Sequence, residues 1–291
     1  MRLFCGCFLL AGLLHAQTDV RRLLEEKTLG RIEQIGAAFD GALGFAAIDL
    51  TTGAVLSYHA DSVFPTASTI KVPVMVEVFR QARAGTLKLD QELPLTQADL
   101  VDGSARLAVM LRRGPTSATV RELLEAMIEV SDNSAANKLI TLAGMDRVNR
   151  TLDELGFPNT RLRRKMMDWA DTEHRENIAT PLEMARLMES IYRGKAAHES
   201  DCAEMLKIMK RVEADIRKAV PASVEVASKP GDLPGARCEL GIVFVPGRPF
   251  ALSVMTAFGP GEKNPIPDVA AALYRLYAKL AAANRYGHLN P

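Results

Sequence analysis

Segments with strand character sit at the two ends of this chain, and the long middle reads as helices and loops. Any sheet must therefore be assembled from parts that are distant in sequence. Ala42 to Leu50 and Ala54 to Tyr58 flank Thr51-Thr52-Gly53, which predicts a β-hairpin. Val224 to Ser228, Arg237 to Val245 and Phe250 to Phe258 return to strand character, with turns at Leu233-Pro234-Gly235 and Pro246-Gly247-Arg248-Pro249. Between them the apolar spacing predicts helices over Arg121 to Val130, Ala135 to Leu142 and Pro181 to Tyr192, and one starting near Ser68 and ending before Gly85. Leu29, Ile32, Ile35 and Phe39 mark an amphipathic helix ahead of the hairpin, and Val269, Leu273, Leu276, Tyr277 and Leu280 mark another at the end. The expected architecture is α/β plus all-α: an antiparallel sheet flanked by N- and C-terminal helices and interrupted by a helical domain. Residues 17–66 and 195–291 would form the discontinuous α/β part and residues 67–194 the helical part, with a cleft between them as the default place for a site.

Composition removes several function classes. Lys and Arg total 36 against 35 acidic residues, a net charge of +1, which leaves no electrostatic footprint for nucleic acid or an anionic membrane. Five His and four Cys leave little material for a zinc site, and no metal or organic cofactor is expected. Residues 1–16 carry one positive charge and then a short apolar run, which predicts a signal peptide cut after Ala16; the alternative is a buried N-terminal helix. No other stretch approaches the roughly 18 uncharged apolar residues of a membrane span. The expectation is a periplasmic or secreted monomer without stable membrane insertion. Cys5 and Cys7 would leave with the leader, and whether Cys202 and Cys238 pair stays open.

Ser68-Thr69-Ile70-Lys71 places a hydroxyl and an amine three positions apart at a helix start, where the two side chains share a face. A serine hydroxyl is a poor nucleophile until a base takes its proton. Lysine serves as that base only when burial or a second cation lowers its pKa far below about 10.4. About one Ser-x-x-Lys is expected by chance in a chain of this length, so the pattern alone is weak. Pro73, just beyond it, removes a helical N–H and predicts a kinked turn. Ser131-Asp132-Asn133 follows a periodic helix and reads equally as a helix cap. Lys229-Pro230-Gly231-Asp232 follows the run Val224 to Ser228 and reads equally as a strand running into a turn.

Order and spacing change that weighing. Ser-x-x-Lys, then Ser-Asp-Asn about 60 residues on, then Lys-x-Gly about 100 further, is the motif set of class A β-lactamases and penicillin-binding proteins. The chain resembles the class A β-lactamase-like serine hydrolases from the hairpin at Ala42 to the terminal helix, with Phe64-Pro65, Asn133-Ser134-Ala135-Ala136-Asn137 and Thr180-Pro181 adding to the likeness. The resemblance implies the β-lactamase/transpeptidase-like fold, and roles for individual residues. Ser68 would be acylated and Lys71 would take or relay its proton. Ser131 would protonate the leaving nitrogen with help from Lys229, whose charge would also help bind a substrate carboxylate. Asn133 would hold the substrate side-chain amide. The backbone N–H groups of Ser68 and Asp232 would form the oxyanion hole beside Gly231.

The chain departs from this pattern twice. The family places a Thr or Ser between Lys and Gly to bind a substrate carboxylate; here Pro230 offers neither hydroxyl nor N–H. Arg237 on the next strand is a candidate to supply that contact, or an ordinary surface residue. The family also carries a glutamate in the loop before Thr180-Pro181, with an asparagine four residues later, to activate the water that clears the acyl-enzyme. The expected place falls within Lys165-Met166-Met167, where no carboxylate stands, and Asp168, Asp171 and Glu173 are rival candidates. The expected function is a secreted serine β-lactamase-like hydrolase acting through a Ser68 acyl-enzyme, with slow deacylation. The alternatives are a D,D-peptidase of the penicillin-binding type acting on cell-wall peptides, and a catalytically silent ligand-binding homologue.

Overall fold

The computed structural model describes residues 20–170, 172–261 and 263–289; the expected leader lies outside them. Helix α1 (Val20–Ala38) leads into strands β1 (Ala42–Asp49) and β2 (Val55–Tyr58), the expected hairpin. Its turn is organised by Asp49, whose Oδ1 accepts the N–H groups of Thr51 and Thr52 at 2.8 and 3.3 Å, while Gly53 takes the left-handed φ of +79° that the reversal needs. Strand β3 (Phe64–Pro65) precedes a 3-10 turn over Ala67–Ile70, and helix α2 (Lys71–Arg83) follows directly. Pro73 falls in the first turn of α2, where backbone N–H groups have no intrahelical acceptor to lose, so it causes none of the expected disruption.

The middle of the chain is helical, as expected. It contains β4 (Glu92–Leu95) paired with β5 (Thr116–Thr119), and helices α3 (Ala105–Met110), α4 (Val120–Glu129), α5 (Asn133–Ala143), α6 (Met145–Glu154) and α7 (Thr172–Arg175). Strand β6 (Ile178–Ala179) pairs with β3, and α8 (Pro181–Tyr192), α9 (Glu199–Met209) and α10 (Asp215–Lys218) follow. Helix α8 starts on a Thr180 hydroxyl that accepts the Glu183 N–H at 3.2 Å with Pro181 in the first turn, a strong start signal, and it packs across β1, β8 and β9. Helix α9 was not among the expected elements, although Cys202, Met205, Ile208 and Met209 recur along its buried face at three- and four-residue steps.

Strands β7 (Val226–Leu233), β8 (Ala236–Val243) and β9 (Phe250–Ala257) complete one antiparallel sheet in the order β2-β1-β9-β8-β7, and α11 (Ile266–Ala282) closes the chain. The two ends meet where β1 pairs with β9, Ala42 opposite Ala257 and Asp49 opposite Phe250. Side chains alternate across this sheet: Phe45 and Ala47 join the apolar layer under α1 and α11, and Ala46 and Ile48 join the layer facing the helical half. Both faces are covered, so β1, β8 and β9 are buried almost throughout.

One expectation needs correction. Strand β7 does not stop at Ser228; it runs on to Leu233 and carries Lys229-Pro230-Gly231-Asp232 inside it. A proline looks like a strand terminator because it cannot donate to a ladder, but β7 is the edge of the sheet, where one side of the strand needs no donor.

Candidate active site

Ser68 sits on the 3-10 turn ahead of α2, and between Thr66 and Phe79 it is the single position that is not fully buried. Ala67 before it holds φ +47°, a left-handed conformation that costs an alanine energy and reaims the chain at the serine. The turn is tied down from both sides. Thr69 Oγ1 donates to Thr66 O at 2.6 Å, and the Thr66 N–H and hydroxyl both donate to Asn177 O, at 2.9 and 3.1 Å. Asn177 in turn binds the loop preceding it: its Oδ1 accepts from the N–H groups of Arg163 and Arg164 at 2.7 and 3.1 Å, and its Nδ2 donates to Arg164 O.

Lys71, at the first position of α2, is completely buried. Its Nζ donates to Ser131 O at 2.6 Å, to Asn133 Oδ1 at 2.7 Å and to Ser131 Oγ at 3.1 Å, three acceptors for the three hydrogens of an ammonium. Burial, and then the charge of Lys229, hold Lys71 well below the usual lysine range, with Asp132 pulling the other way. Ser131-Asp132-Asn133 divides its contacts residue by residue between a helix cap and the Lys71 amine. Asp132 is the cap: its Oδ1 accepts from Ala135 N–H at the start of α5, and its Oδ2 accepts from Arg106 and Leu107 in α3, each at 2.9 Å. Ser131 and Asn133 face Lys71. Ser131 holds φ +57°, unfavourable for serine, in the break between α4 and α5. Asn133 Nδ2 donates to Asp102 O at 2.7 Å, which leaves its carbonyl oxygen for Lys71.

Strand β7 supplies the opposite wall. Lys229 is fully buried, and its Nζ donates to Ser131 Oγ at 3.0 Å and to Pro230 O at 2.8 Å. One hydroxyl therefore lies between two lysine nitrogens. Burial lowers Lys229 to about 7, opposed by the charge of Glu239. Gly231 lets β7 come against the Ser68 turn: a Cβ there would stand 2.7 Å from Ser68 N, 2.9 Å from Ala67 Cβ and 3.0 Å from Thr66 O. Its register partner Cys238 donates its thiol to Pro65 O. Cys202 and Cys238 are both buried free thiols, Cys202 on α9 and Cys238 on β8.

Glu239, opposite Pro230 in β8, was not foreseen because a strand glutamate beside a proline carries no pattern of its own. It is fully buried, and its Oε2 accepts from the N–H groups of Asp215 and Ile216 at 3.0 and 3.1 Å, holding the start of α10 against the sheet. Burial raises its carboxyl to about 7, with the Ile216 and Asp215 amides pulling the other way. An unfolded glutamate loses its proton near 4.5. Between about 4.5 and 7 the folded state thus keeps a proton that the unfolded state has released, and this contribution to stability is lost as pH rises through that window. Lys229 gives the reverse slope above 7, its contribution being lost as pH falls from the ordinary lysine range towards 7. The stability of wild type minus that of Glu239→Gln is expected to fall by on the order of 2 kcal/mol from about pH 5 to about pH 8, by urea denaturation at each pH. A constant difference would show that Glu239 is not the group that titrates.

A cleft of about 440 Å³ opens between these walls, lined by Ser68, Ser131, Asn133, Pro230, Asp232 and Arg237 among others. The structure thus gathers Ser68, Lys71, Ser131, Asn133, Lys229, Gly231, Asp232 and Arg237 in or around one cleft. It does not bring the described loop acids there. Asp168 binds Arg175 at 2.5 Å and is held below the usual carboxylate range by that hydrogen bond, and Glu173 is exposed on α7. Asp171 lies outside the described residues. What anchors this loop to α5 is Asn137, whose side chain accepts from Met166 N–H at 2.7 Å and donates to Met166 O at 3.0 Å. Trp169 stacks under the Arg164 guanidinium, 4.9 Å from the ring centre, and serves the loop rather than the cleft.

The chain's similarity to known proteins follows the same lines. Residues 28–277 match the model of the beta-lactamase enzyme family. A beta-lactamase of Streptomyces cellulosae is 30% identical over 257 residues, 84% of this chain and 82% of that one. Beta-lactamase CTX-M-97 of Escherichia coli is 31% identical over 227 residues, 75% of this chain and 74% of that one. The crystal structure of a beta-lactamase from Chitinophaga pinensis superposes with a TM-score of 0.80 at 26% identity, covering 88% of this chain and 99% of that chain. Match, relatives and fold agree with a Ser-x-x-Lys turn set against a lysine-bearing edge strand, and the chain belongs to the beta-lactamase enzyme family as a serine hydrolase of that type.

Proposed function

We propose that Ser68 is the nucleophile of an acyl-enzyme reaction on β-lactams in which Ser131 Oγ carries protons between two lysines. In this reading the unprotonated Lys71 amine takes the Ser68 proton as Ser68 Oγ forms an ester to the lactam carbonyl carbon. The N–H groups of Ser68 and Asp232 receive the developing oxyanion. As the carbon–nitrogen bond breaks, the Ser131 hydroxyl protonates the departing nitrogen and is itself reprotonated by Lys71 or Lys229. The observation that carries the proposal is the placing of Ser131 Oγ 3.1 Å from Lys71 Nζ and 3.0 Å from Lys229 Nζ. Burial holds both lysines below their ordinary range, Lys229 at about 7, which eases the loss of a proton from each.

Hydrolysis of the ester is the slow step in this proposal. The loop residue clamped to α5 by Asn137 is Met166, and no described acid of the loop lines the cleft. The same observation supports the second reading, a D,D-peptidase whose acyl-enzyme with a β-lactam persists. Export through the leader of residues 1–16 is part of the proposal; among the described residues no helix is long and apolar enough to cross a membrane.

Mixing the protein with a penicillin and following its intact mass from seconds to hours tests both readings. The expected result is one adduct of the drug's mass, absent from a Ser68→Ala control, forming within minutes and clearing over many minutes or longer. An adduct that clears within seconds would overturn the slow step, and an adduct that never clears would favour the peptidase. No adduct would leave a silent binding protein.

A further inference from the structure

We propose that the groove between α2 and α6 binds a small soluble anion carrying two adjacent phosphoryl groups. The groove has a volume of about 840 Å³ and lies towards the far end of α2, with Arg80 roughly 14 Å along the helix from Lys71. Two pairs of arginines at i,i+3 spacing face it, Arg80 and Arg83 at the end of α2 and Arg147 and Arg150 on α6. Lys195, in the connection from α8 to α9, adds a fifth cation. Among the described lining residues the acids are Glu77 and Glu154. With His198 counted as neutral, the groove holds an excess of three positive charges in a chain whose net charge is +1.

The acids do not use up the cations. Glu154 accepts from Arg80 Nη2 at 2.5 Å, and Asp201 of α9 takes Arg83 at 2.6 and 3.0 Å. Glu77 is buried and accepts from Gln81 Nε2 at 2.6 Å and Thr151 Oγ1 at 2.5 Å; its charge still acts on the groove and is part of the count. Asp146 and Asp153 project from a different face of α6, and Asp153 pairs with Arg161 at 2.5 Å. Arg147, Arg150 and Lys195 are exposed, and among the described residues no hydrogen bond or ion pair engages their side chains. Like charges at i,i+3 on a helix repel, and an anion between them relieves that repulsion. Three unengaged cations on two segments call for several negative oxygens, more than one carboxylate provides. A diphosphate has the charge, and guanidinium forks grip phosphate oxygens two at a time. The occupant is soluble because none of the exposed large apolar side chains lines the groove, so nothing there would enter a lipid surface.

Isothermal titration calorimetry with inorganic pyrophosphate, orthophosphate and acetate, at about 50 mM salt to limit screening, tests the site. Pyrophosphate is expected to bind once per chain and to saturate below about 1 mM, with orthophosphate about ten-fold weaker for the loss of one charge-assisted contact. Acetate is expected not to saturate in that range. Arg147→Gln, Arg150→Gln and Lys195→Gln are each expected to weaken pyrophosphate by about ten-fold, while Arg237→Gln in the Ser68 cleft changes it by less than about two-fold. Thermal melting checks that the variants fold. Pyrophosphate that fails to saturate, or that binds equally well to all three groove variants, overturns the proposal. Binding lost in Arg237→Gln and kept in Arg147→Gln also overturns it, and puts the anion in the Ser68 cleft. Flotation with vesicles carrying a diphosphate headgroup is the last arm: capture by the vesicles without a response to free pyrophosphate overturns the soluble occupant.

Discussion

Lys71→Met is expected to slow acylation of Ser68 by about a thousand-fold, within the 10²–10⁴ that a positioned general base contributes. Methionine fills much of the same buried volume but takes no proton, and it leaves Ser131 O, Ser131 Oγ and Asn133 Oδ1 without their donor. Lys71→Arg separates proton uptake from charge. Arginine restores a cation with several donors but does not deprotonate in a protein, so a site that needs a base stays slow with it, also by about a thousand-fold. Stopped-flow acylation with intact-mass readout at several pH values measures both variants. Wild type should show a rising limb with pH placed well below the usual lysine range, because burial and Lys229 push Lys71 down, and that limb should vanish in both variants. An arginine variant within ten-fold of wild type would mean that the site uses the charge of Lys71 and not its proton.

This arrangement was partly legible in the sequence. Ser68, Lys71, Ser131 and Lys229 stand in motifs whose order survives translation into structure: the first at a 3-10 turn running into α2, the second in the gap between α4 and α5, and the third within an edge strand. The extent of β7 was not legible. Pro230 signals a stop to any local reading, and only the position of β7 at the sheet edge, set by the pairing of β1 with β9, makes proline tolerable there. Glu239 was hidden for a related reason: its burial depends on α10 packing against β8, a contact between elements with no shared motif. The clamp of Asn137 on Met166 was half visible, since the asparagine stands in a motif while its partner, a methionine backbone, has no sequence signature.

Gly231→Ala is expected to lower the acylation rate by about a hundred-fold or more and to destabilise the fold by about 1–3 kcal/mol, the usual range for overpacking. Two of the three atoms that the new methyl would meet are backbone, Ser68 N at 2.7 Å and Thr66 O at 3.0 Å, so no side chain can swing aside to make room. Either β7 retreats or the nucleophile turn shifts. The turn resists, because Thr66 is fastened to Asn177 O through both its N–H and its hydroxyl. Relief therefore falls on β7, and it carries Lys229 Nζ away from Ser131 Oγ and the Asp232 N–H away from the carbonyl that Ser68 attacks. Displacements of about 1 Å in such a constellation cost on the order of a hundred-fold. Gly30→Ala is the control: nothing lies within 4 Å of a Cβ there, and alanine favours the interior of α1 by about 0.5–1 kcal/mol. Acylation kinetics and urea denaturation on the two variants separate the contact from any general effect of losing a glycine. A Gly231→Ala protein that acylates within three-fold of wild type would mean that the close approach of β7 to Ser68 is dispensable for the reaction.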